Sequence, residues 1–275
     1  MAVSDQVLDR PGREVSEAPA VVCDRVDVTY RVYSDSEPKL RKAFLRDHRQ
    51  REYRAVEAVK QVSFVAEPGE AIGVIGHNGS GKSSLLRGVA GLIPVTSGSV
   101  HARSLPVLLG VGAALEGDLS ARRNVYLGAT ALGMRRAEIH ERFDDIVEFA
   151  GVEEFIDLPL RAFSTGMRSR LQFAIATAKA PEILLIDEAL STGDAEFKER
   201  SDTRIRELIA QAGTVFLVSH SMKSVLDVCE RALWLHRGYL VADGDAKEVV
   251  EAYTAYTDRR KEERKSRRRN KRQDR

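Results

Sequence analysis

A glycine-rich segment at residues 76–83 restricts the possible folds of this chain more than any other feature of its sequence. The segment reads GHNGSGKS and matches the pattern G-x-x-x-x-G-K-[ST]. Residues 71–75 before it are apolar and have strand length, and residues 83–90 after it have a helical pattern that Gly91 closes. A strand, a tight glycine turn and a helix in this order predict a phosphate-binding loop within an α/β domain.

The expected chemistry of this loop is the binding of nucleotide phosphates. Its glycines allow backbone N–H groups to turn inward around a β-phosphate, and the N-terminus of the following helix adds positive potential. Lys82 supplies a positive charge to the β- and γ-phosphates, and the Ser83 hydroxyl is a candidate ligand of Mg²⁺. A glycine-rich turn that arose by chance is the alternative, and the strand–loop–helix context argues against it. The predicted nucleotide-binding residues of this segment are Gly76, His77, Asn78, Gly79, Ser80, Gly81, Lys82, Ser83 and Ser84.

A pair of acidic residues further along the chain narrows the chemistry. The apolar strand 183–186 ends directly in Asp187 and Glu188. The first carboxylate is suited to holding Mg²⁺, and the second is suited to polarising an attacking water. A solvent-facing acidic pair is the alternative, which the phosphate loop upstream makes the weaker interpretation. The combination predicts hydrolysis of the nucleotide.

Composition sets the broad class of the protein. With 275 residues and 43% hydrophobic residues, the chain is long enough for one sizeable core. The formal net charge is +2, but residues 259–275 contain eleven Lys or Arg against three acidic residues, so the remainder is net acidic. No run approaches the roughly 20 apolar residues that cross a bilayer. Cys23 and Cys229 lack zinc or disulfide spacing and are expected to be buried thiols in a reducing compartment.

The remaining segments alternate between strand and helix patterns. Alternating apolar residues at 21–32 and 56–65 predict two antiparallel strands, separated by a basic interruption at 34–54. Residues 120–150 have helical composition with a break at Gly133 and a stop at Gly151, and a further helix is expected from about Gly166 to before Pro181. Downstream, the sequence predicts strand 183–186, helix 195–211, strand 214–218, helix 221–229, a hairpin at 232–241 that turns at Arg237–Gly238, and a last helix from Asp245 to about Tyr256. This alternation favours a largely parallel sheet covered by helices.

A third motif identifies a family resemblance. The segment FSTGMR at 163–168 stands shortly before the strand that ends in Asp187 and Glu188, and it opens a helix. With the phosphate loop and the acidic pair, it resembles the ATP-binding cassette family. The resemblance implies an α/β P-loop fold with a mostly parallel core sheet, an antiparallel β subdomain and a helical insertion subdomain. It further implies a homodimer in which one copy binds the ATP of the other through its signature residues Ser164, Thr165, Gly166 and Met167.

Three more positions extend the resemblance. The segment STGD at 191–194 is similar to the family's D-loop, which places Asp194 near the nucleotide. His220 follows the strand 214–218 and matches the switch histidine, which implies contact with the γ-phosphate and a part in orienting water; a surface or core histidine is the alternative. Tyr30 resembles the aromatic residue that stacks on adenine, with Tyr33 as a close competitor and a plain strand tyrosine as a third interpretation.

The chain also departs from the family pattern at one position. A glutamine usually follows the strand near Val107, but this sequence reads LLGVGA at 108–113. The metal contact that the family assigns to that glutamine is therefore in doubt here.

Two details resemble the polysaccharide-exporter branch of the family, which includes ATPases for O-antigen, teichoic acid and actinobacterial galactan. They are the insertion at 34–54 and the stretch LLGVGAALEGDLSARRNVYLGATALGM at 108–134. The branch implies ATP and Mg²⁺ as cofactors, and a separate integral-membrane permease that handles the lipid-linked glycan. It also implies a peripheral position on the cytoplasmic face of the plasma membrane.

The expected organisation is a flexible leader at 1–20, an ATPase domain at 21–257 and a basic tail at 258–275. Within the ATPase domain, 113–165 is expected to form the helical subdomain with the signature region. The insertion at 34–54 is interpreted as a membrane-facing element or, alternatively, a solvated loop, and the tail as a contact for an anionic membrane or a solubilising extension. No long extension is present that would form a separate glycan-binding domain, so direct glycan contact is not expected.

Two other functions are alternatives to the exporter interpretation. A soluble ATPase of this family acting on nucleic acid or ribosomes would use the basic segments as phosphate-binding surfaces, but a second cassette and a long coiled-coil insertion are not evident in the sequence. A purely regulatory nucleotide-binding protein would be expected to lack Glu188. The exporter interpretation, without nucleic acid as partner, is therefore preferred.

Overall fold

A computed structural model describes residues 18–33, 53–109, 115–187 and 195–273. Several predicted features lie outside these residues. They are most of the leader, the insertion up to residue 52, the segment at 110–114 where the family glutamine would stand, Glu188, and the STGD segment with Asp194.

Nine strands and seven α-helices make up the described part of the chain. The strands are β1 (Val21–Tyr33), β2 (Tyr53–Ala66), β3 (Ala71–Ile75), β4 (Ser97–Ala102), β5 (Val107–Leu109), β6 (Ile183–Asp187), β7 (Thr214–Val218), β8 (Arg231–His236) and β9 (Tyr239–Asp245). The helices are α1 (Lys82–Val89), α2 (Ala121–Ala131), α3 (Arg136–Ala150), α4 (Thr165–Ala176), α5 (Ala195–Gln211), α6 (Met222–Val228) and α7 (Ala246–Gln273).

The larger sheet has six strands in the order β5-β6-β7-β3-β8-β9. The first five strands run parallel, and β9 returns antiparallel to β8. Strands β3, β6 and β7 are almost wholly buried, which is typical of parallel strands with helices on both faces. The predicted parallel sheet and the hairpin that turns at Arg237–Gly238 are confirmed.

The smaller sheet is antiparallel and has the order β2-β1-β4. Its two long strands confirm the predicted pair, whereas β4 was not predicted from the sequence. Arg54 pairs with Val32 and Tyr53 pairs with Tyr33, so the strand begins before the predicted end of the insertion at residue 54. Helix α1 packs between the two sheets, where Leu85 and Leu86 are buried in one core with residues of both.

Helices α2, α3 and α4 form a subdomain with a core of its own. Gly133 and Gly151 adopt left-handed φ angles of 82° and 61° at the ends of α2 and α3, which is the helix-ending role expected of them. The buried residues of this core include Val125, Ile139 and Leu171, one from each helix. The predicted helical insertion is confirmed.

The prediction that the last helix ends near Tyr256 is wrong, because α7 continues as one helix of 28 residues to Gln273. The first turns are anchored by Ala246, Val249 and Val250, which are buried against the larger sheet. The basic stretch contains neither Gly nor Pro, and Lys and Arg are good helix formers. The charge pattern was therefore a poor guide to where the helix ends.

Both cysteines are buried and unpaired, as expected. Burial raises the pKa of each thiol to about 12. The thiolate form, which is the reactive one, is therefore negligible at neutral pH. Across the described residues, no helix is both long and apolar enough to cross a membrane.

A buried asparagine shapes the entry to the helical subdomain. Asn124 is fully buried in α2, and its amide donates to the carbonyls of Glu116, Leu119 and Ser120 at 2.9, 3.2 and 3.0 Å. Its side-chain oxygen accepts from the Glu116 backbone N–H at 2.7 Å. One side chain therefore holds the turn at 116–120 against the helix.

Replacing Asn124 by Ala is expected to lower the free energy of unfolding by about 2–3 kcal/mol, because it leaves buried backbone groups of the turn without partners. Denaturant unfolding measures the change. The matched control is Arg123→Ala on the exposed side of the same helix turn, which should cost less than about 0.5 kcal/mol. Equal losses in the two variants would contradict the described role of Asn124.

Candidate active site

Three parallel strands, β3, β6 and β7, end at the same edge of the larger sheet. Val218 of β7 pairs with Val74 of β3 on one side and with Asp187 of β6 on the other, so the three strands end at the same level. A cavity of about 290 Å³ opens there. It is lined by Asn78, Gly79, Gly81, Lys82, Ser83, Ser84, Asp187, Val218 and His220. The structure thus brings together the phosphate loop, the first acidic residue and the histidine that the sequence singled out.

Lys82 lies inside the curve of the loop. Its ammonium donates to the backbone carbonyls of Gly76 at 2.7 Å and His77 at 3.1 Å, and the residue is only 6% exposed. Gly81 precedes α1 in a left-handed conformation, and within the described residues no side chain caps the first turn of this helix. The first amides of α1 and the ammonium therefore supply positive potential at one end of the cavity, as an anionic ligand requires.

Two positions of the loop must be glycine because the backbones of other strands lie very close to them. Gly76 has a φ of 145°, and a Cβ there would lie 2.3 Å from the carbonyl oxygen of Leu235. Gly81 has a φ of 107°, and a Cβ there would lie 2.2 Å from the carbonyl oxygen of Ala58. The loop is therefore pressed directly against the backbone of β2 and β8.

The turn between β8 and β9 also supports the loop. The Gly238 N–H donates to the carbonyl of Ser80 at 2.9 Å, and the Lys60 N–H of β2 donates to the carbonyl of Gly238 at 2.8 Å. These supporting residues could not be predicted from the sequence, because they are distant from the loop in the chain and their backbones make the contacts. The glycine in the Arg237–Gly238 turn was the only local signal.

A histidine pair extends this support to α7. The rings of His77 and His236 meet edge to face at 5.1 Å, and the Tyr256 hydroxyl lies 3.4 Å from Nε2 of His236. Burial, together with the nearby His77 ring and the guanidinium groups of Arg237 and Arg260, lowers the pKa of His236. Because an unperturbed histidine already titrates below pH 7, this imidazole is neutral at pH 7. No short sequence pattern predicts this contact.

His220 and Asp187 occupy ordered positions beside the loop. His220 stands on a turn where the Ser221 N–H donates to Oγ of Ser219 at 3.0 Å, and Ser221 caps α6 by accepting from the Ser224 N–H. Asp187 ends β6 and is half-buried. Asp187 and Ser83 offer a carboxylate and a hydroxyl to the same cavity, and oxygen donors of this kind are those that Mg²⁺ prefers. The two residues therefore fit a magnesium ion bound together with nucleotide phosphates.

Tyr30 lies next to the phosphate loop on β1. Its hydroxyl donates to Oγ of Ser84 at 3.2 Å, and its ring is partly buried against the core. Of the two candidate tyrosines, Tyr30 thus has a described contact with the loop, whereas the Tyr33 side chain lies outside the description. The stacking of adenine on Tyr30 stays a prediction.

The signature residues do not join the cavity of their own chain. Ser164 caps α4 by accepting from the Met167 N–H at 3.2 Å, and Ser164, Thr165 and Gly166 are exposed. The Arg168 guanidinium donates to the carbonyls of Leu160 and Arg161, both at 3.0 Å, which orders the preceding turn. The start of α4 is therefore an exposed surface that lies outside the cavity of the phosphate loop.

The chain resembles known proteins across both subdomains. A family model described as ABC transporter matches residues 59–191. A teichoic acids export ATP-binding protein of Listeria innocua is 37% identical over 231 residues, which cover 84% of this chain and 68% of that protein. An O-antigen export system ATP-binding protein of Klebsiella pneumoniae is 40% identical over 198 residues, which cover 71% of this chain and 80% of that protein.

The relatives also differ from the chain in length. The teichoic acids export ATP-binding protein of Enterococcus faecalis is 40% identical over 202 residues, but these cover only 45% of that protein. Among solved structures, an ATP-binding subunit of an ABC transporter superimposes with a TM-score of 0.61 at 19% identity, covering 86% of this chain and 93% of that one. A dimeric ATP-binding cassette with ADP and phosphate superimposes with a TM-score of 0.59 at 21% identity, covering 82% and 98%. The likeness to these structures concerns the fold.

Replacing Gly81 by Ala is expected to cost about 3 kcal/mol of folding free energy, because overpacking against the Ala58 carbonyl adds to left-handed strain. The displaced loop should also bind a fluorescent ATP analogue at least about 10-fold more weakly, on the scale of one lost loop contact. The control is Gly91→Ala, where φ is 68° and a Cβ would meet open space. It should lose only about 1 kcal/mol from strain and keep its affinity. Similar losses in the two variants would contradict the packing of the loop.

Proposed function

The chain belongs to the ABC transporter family of ATP-binding proteins, and on this premise we propose that it is the ATP-hydrolysing subunit of an exporter for a lipid-linked cell-envelope polysaccharide. ATP hydrolysis rests on one observation, the single cavity that joins the phosphate loop, Asp187 and His220. The class of substrate rests on the relatives, which are named for the export of teichoic acid and O-antigen. None of the relatives reported above is named for nucleic acid, so that alternative is not proposed.

The proposed reaction is attack of water on the γ-phosphorus of ATP, which breaks the bond to the β–γ bridging oxygen and releases ADP and phosphate. The loop amides and Lys82 hold the β- and γ-phosphates, while Ser83 and Asp187 hold Mg²⁺. The metal, when bound, neutralises charge that develops on the phosphate oxygens. Glu188 polarises the attacking water, and His220 contacts the γ-phosphate and helps to orient that water. Tyr30 stacks on the adenine ring.

The proposed site is completed by a second copy of the chain. The exposed start of α4 with Ser164, Thr165, Gly166 and Met167 would bind the γ-phosphate held by the other copy. Asp194 would lie at the same junction. Two copies would pair head to tail around two ATP molecules, and hydrolysis would reopen the pair. The exposure of the start of α4 away from the cavity of its own chain supports this arrangement.

The other proposed partner is an integral-membrane permease, which handles most of the glycan. The pair of ATPase subunits would lie on the cytoplasmic face of the plasma membrane. There the insertion at 34–52 would face the permease or the headgroups, and the basic end of α7 would meet the anionic membrane surface. Positive charge close to such a surface contributes about 1 kcal/mol of attraction per Lys or Arg.

Replacing Glu188 by Gln is expected to lower ATP turnover at least about 100-fold while ATP still binds, because the variant loses the group that polarises water. Steady-state phosphate release and binding of a fluorescent ATP analogue measure the two effects. Lys82→Ala is the contrasting variant, since loss of the loop charge should remove binding itself. Turnover at the wild-type rate in Glu188→Gln would refute the assignment of this carboxylate.

Deleting residues 38–52 is expected to leave basal ATP hydrolysis unchanged within about 2-fold, because the deletion spares the strand pairs that begin at Tyr53. The same deletion should abolish export in vesicles that contain the permease. The control replaces the segment with a Gly/Ser linker of equal length, which keeps its reach and removes its basic and apolar residues. Normal export by either variant would reject a coupling role for the segment.

A further inference from the structure

Three phenylalanines join α3, α4 and α5 in one aromatic cluster. The ring of Phe197 on α5 lies 5.6 Å from that of Phe149 on α3 and 5.7 Å from that of Phe173 on α4. The rings of Phe149 and Phe173 are 5.9 Å apart, so each ring touches the other two. Phe197 is only 4% exposed. Mutual contacts of this kind hold their three backbones in a narrow range of positions.

Two arginines of α5 reinforce the cluster from the side of α3. The guanidinium groups of Arg200 and Arg204 lie 5.0 and 5.3 Å from the centre of the Phe149 ring. Arg204 also forms an ion pair with Asp145 at 2.6 Å, and Arg200 donates to the Phe149 carbonyl at 3.3 Å. Helix α5 is therefore attached to the helical subdomain by stacking, charge and hydrogen bonds together.

The other end of α5 is attached to the larger sheet. Leu208 is buried in the same core as Leu184 of β6 and Val215 of β7, and Ile205 and Ile209 pack against that core. Helix α5 thus spans the two bodies of the chain, with its first half on the helical subdomain and its second half on the sheet.

The cluster stands next to both proposed nucleotide-contacting segments. Helix α5 begins directly after residues 188–194, and Phe197 is the third residue of that helix. Helix α4 begins directly after Ser164 and carries Phe173 in its third turn. The strand before segment 188–194 is β6 of the sheet, and the helix after it carries Phe197 of the cluster that also contains the signature helix.

We propose that Phe197 is a positioning residue for ATP hydrolysis, which sets segment 188–194 relative to the signature helix through Phe149 and Phe173. Because of these contacts, a shift of the helical subdomain would also shift the start of α5. Glu188 of one copy acts on the ATP of its own loop, and the signature of that copy acts on the ATP of the other copy. The two groups would therefore reach their ATP molecules at the same time. This inference rests on the roles of Glu188 and Ser164 under Proposed function, and it adds a residue that makes no contact with ATP.

The helical subdomain contains a second aromatic contact that serves as a matched control. Phe143 of α3 stacks on Tyr126 of α2 at 5.7 Å, and the Arg122 guanidinium lies 5.1 Å from its ring. Arg122 forms an ion pair with Asp157 at 2.7 Å. The same kinds of interaction therefore occur here within the subdomain, whereas the cluster around Phe197 crosses to α5.

The experiment compares Phe197→Leu with Phe143→Leu in the full chain. Phe197→Leu should lower ATP turnover at least about 10-fold, on the scale of a small misplacement of reacting groups, while affinity for a fluorescent ATP analogue changes less than about 2-fold. Phe143→Leu should lower the melting temperature by a similar amount and keep turnover within about 2-fold. The variants Arg204→Ala and Arg122→Ala repeat the comparison without replacing a phenylalanine, so the comparison applies even if a leucine variant does not fold.

A second measurement separates positioning from general stability. In a Glu188→Gln background, ATP-driven pairing of two copies is followed by sedimentation, and adding Phe197→Leu should raise the ATP concentration required about 10-fold. Adding Phe143→Leu should leave that concentration unchanged. Normal turnover and pairing in the Phe197 and Arg204 variants, or equal losses in the control variants, would overturn the inference. Wild-type turnover in Glu188→Gln alone would instead refute the catalytic assignment.

Discussion

Direct contact between the phosphate loop and the backbones around it is the interaction on which the rest of this structure depends. Gly76 and Gly81 lie so close to the carbonyl oxygens of Leu235 and Ala58 that no side chain fits between them. The loop amides keep their direction because β2 and the β8–β9 turn hold the loop from outside. A preorganised anion site needs this fixed geometry. The loop is then ordered when the protein folds, so binding of the anion does not have to supply the free energy for ordering it.

The two bodies of the chain carry different halves of the proposed chemistry. The sheet presents the phosphate loop, Asp187 and His220 at the ends of adjacent strands. The helical subdomain presents the capped start of α4 on an exposed surface. Each body has a core of its own. Helix α5 contacts Phe149 and Phe173 of the helical subdomain, and its Leu208 is buried against β6 and β7 of the sheet. It therefore connects the two bodies.

Short sequence patterns predicted local structure correctly where one residue type has one conformational role. The glycine loop, the breaks at Gly133 and Gly151 and the helix that opens in the FSTGMR segment were predicted from short segments and are all present. The pattern failed for the end of α7, where the basic tail was read as separate from the helix although no residue there stops a helix. It also missed β4, whose residues are mostly exposed and owe their conformation to pairing with β1.

The sequence by itself determined the class of fold, the phosphate loop and the set of residues proposed to act on ATP, because these depend on residue types at fixed short spacings. Only the tertiary structure decided that Gly81 meets Ala58, that His77 meets His236, and that Phe197 joins two helices of another subdomain. These contacts join residues that lie 23 to 159 positions apart in the sequence. Their formation depends on how sheets and helices pack, which a short sequence window does not contain. The motif could be predicted from the sequence, whereas the packing that holds its shape is shown only by the tertiary structure.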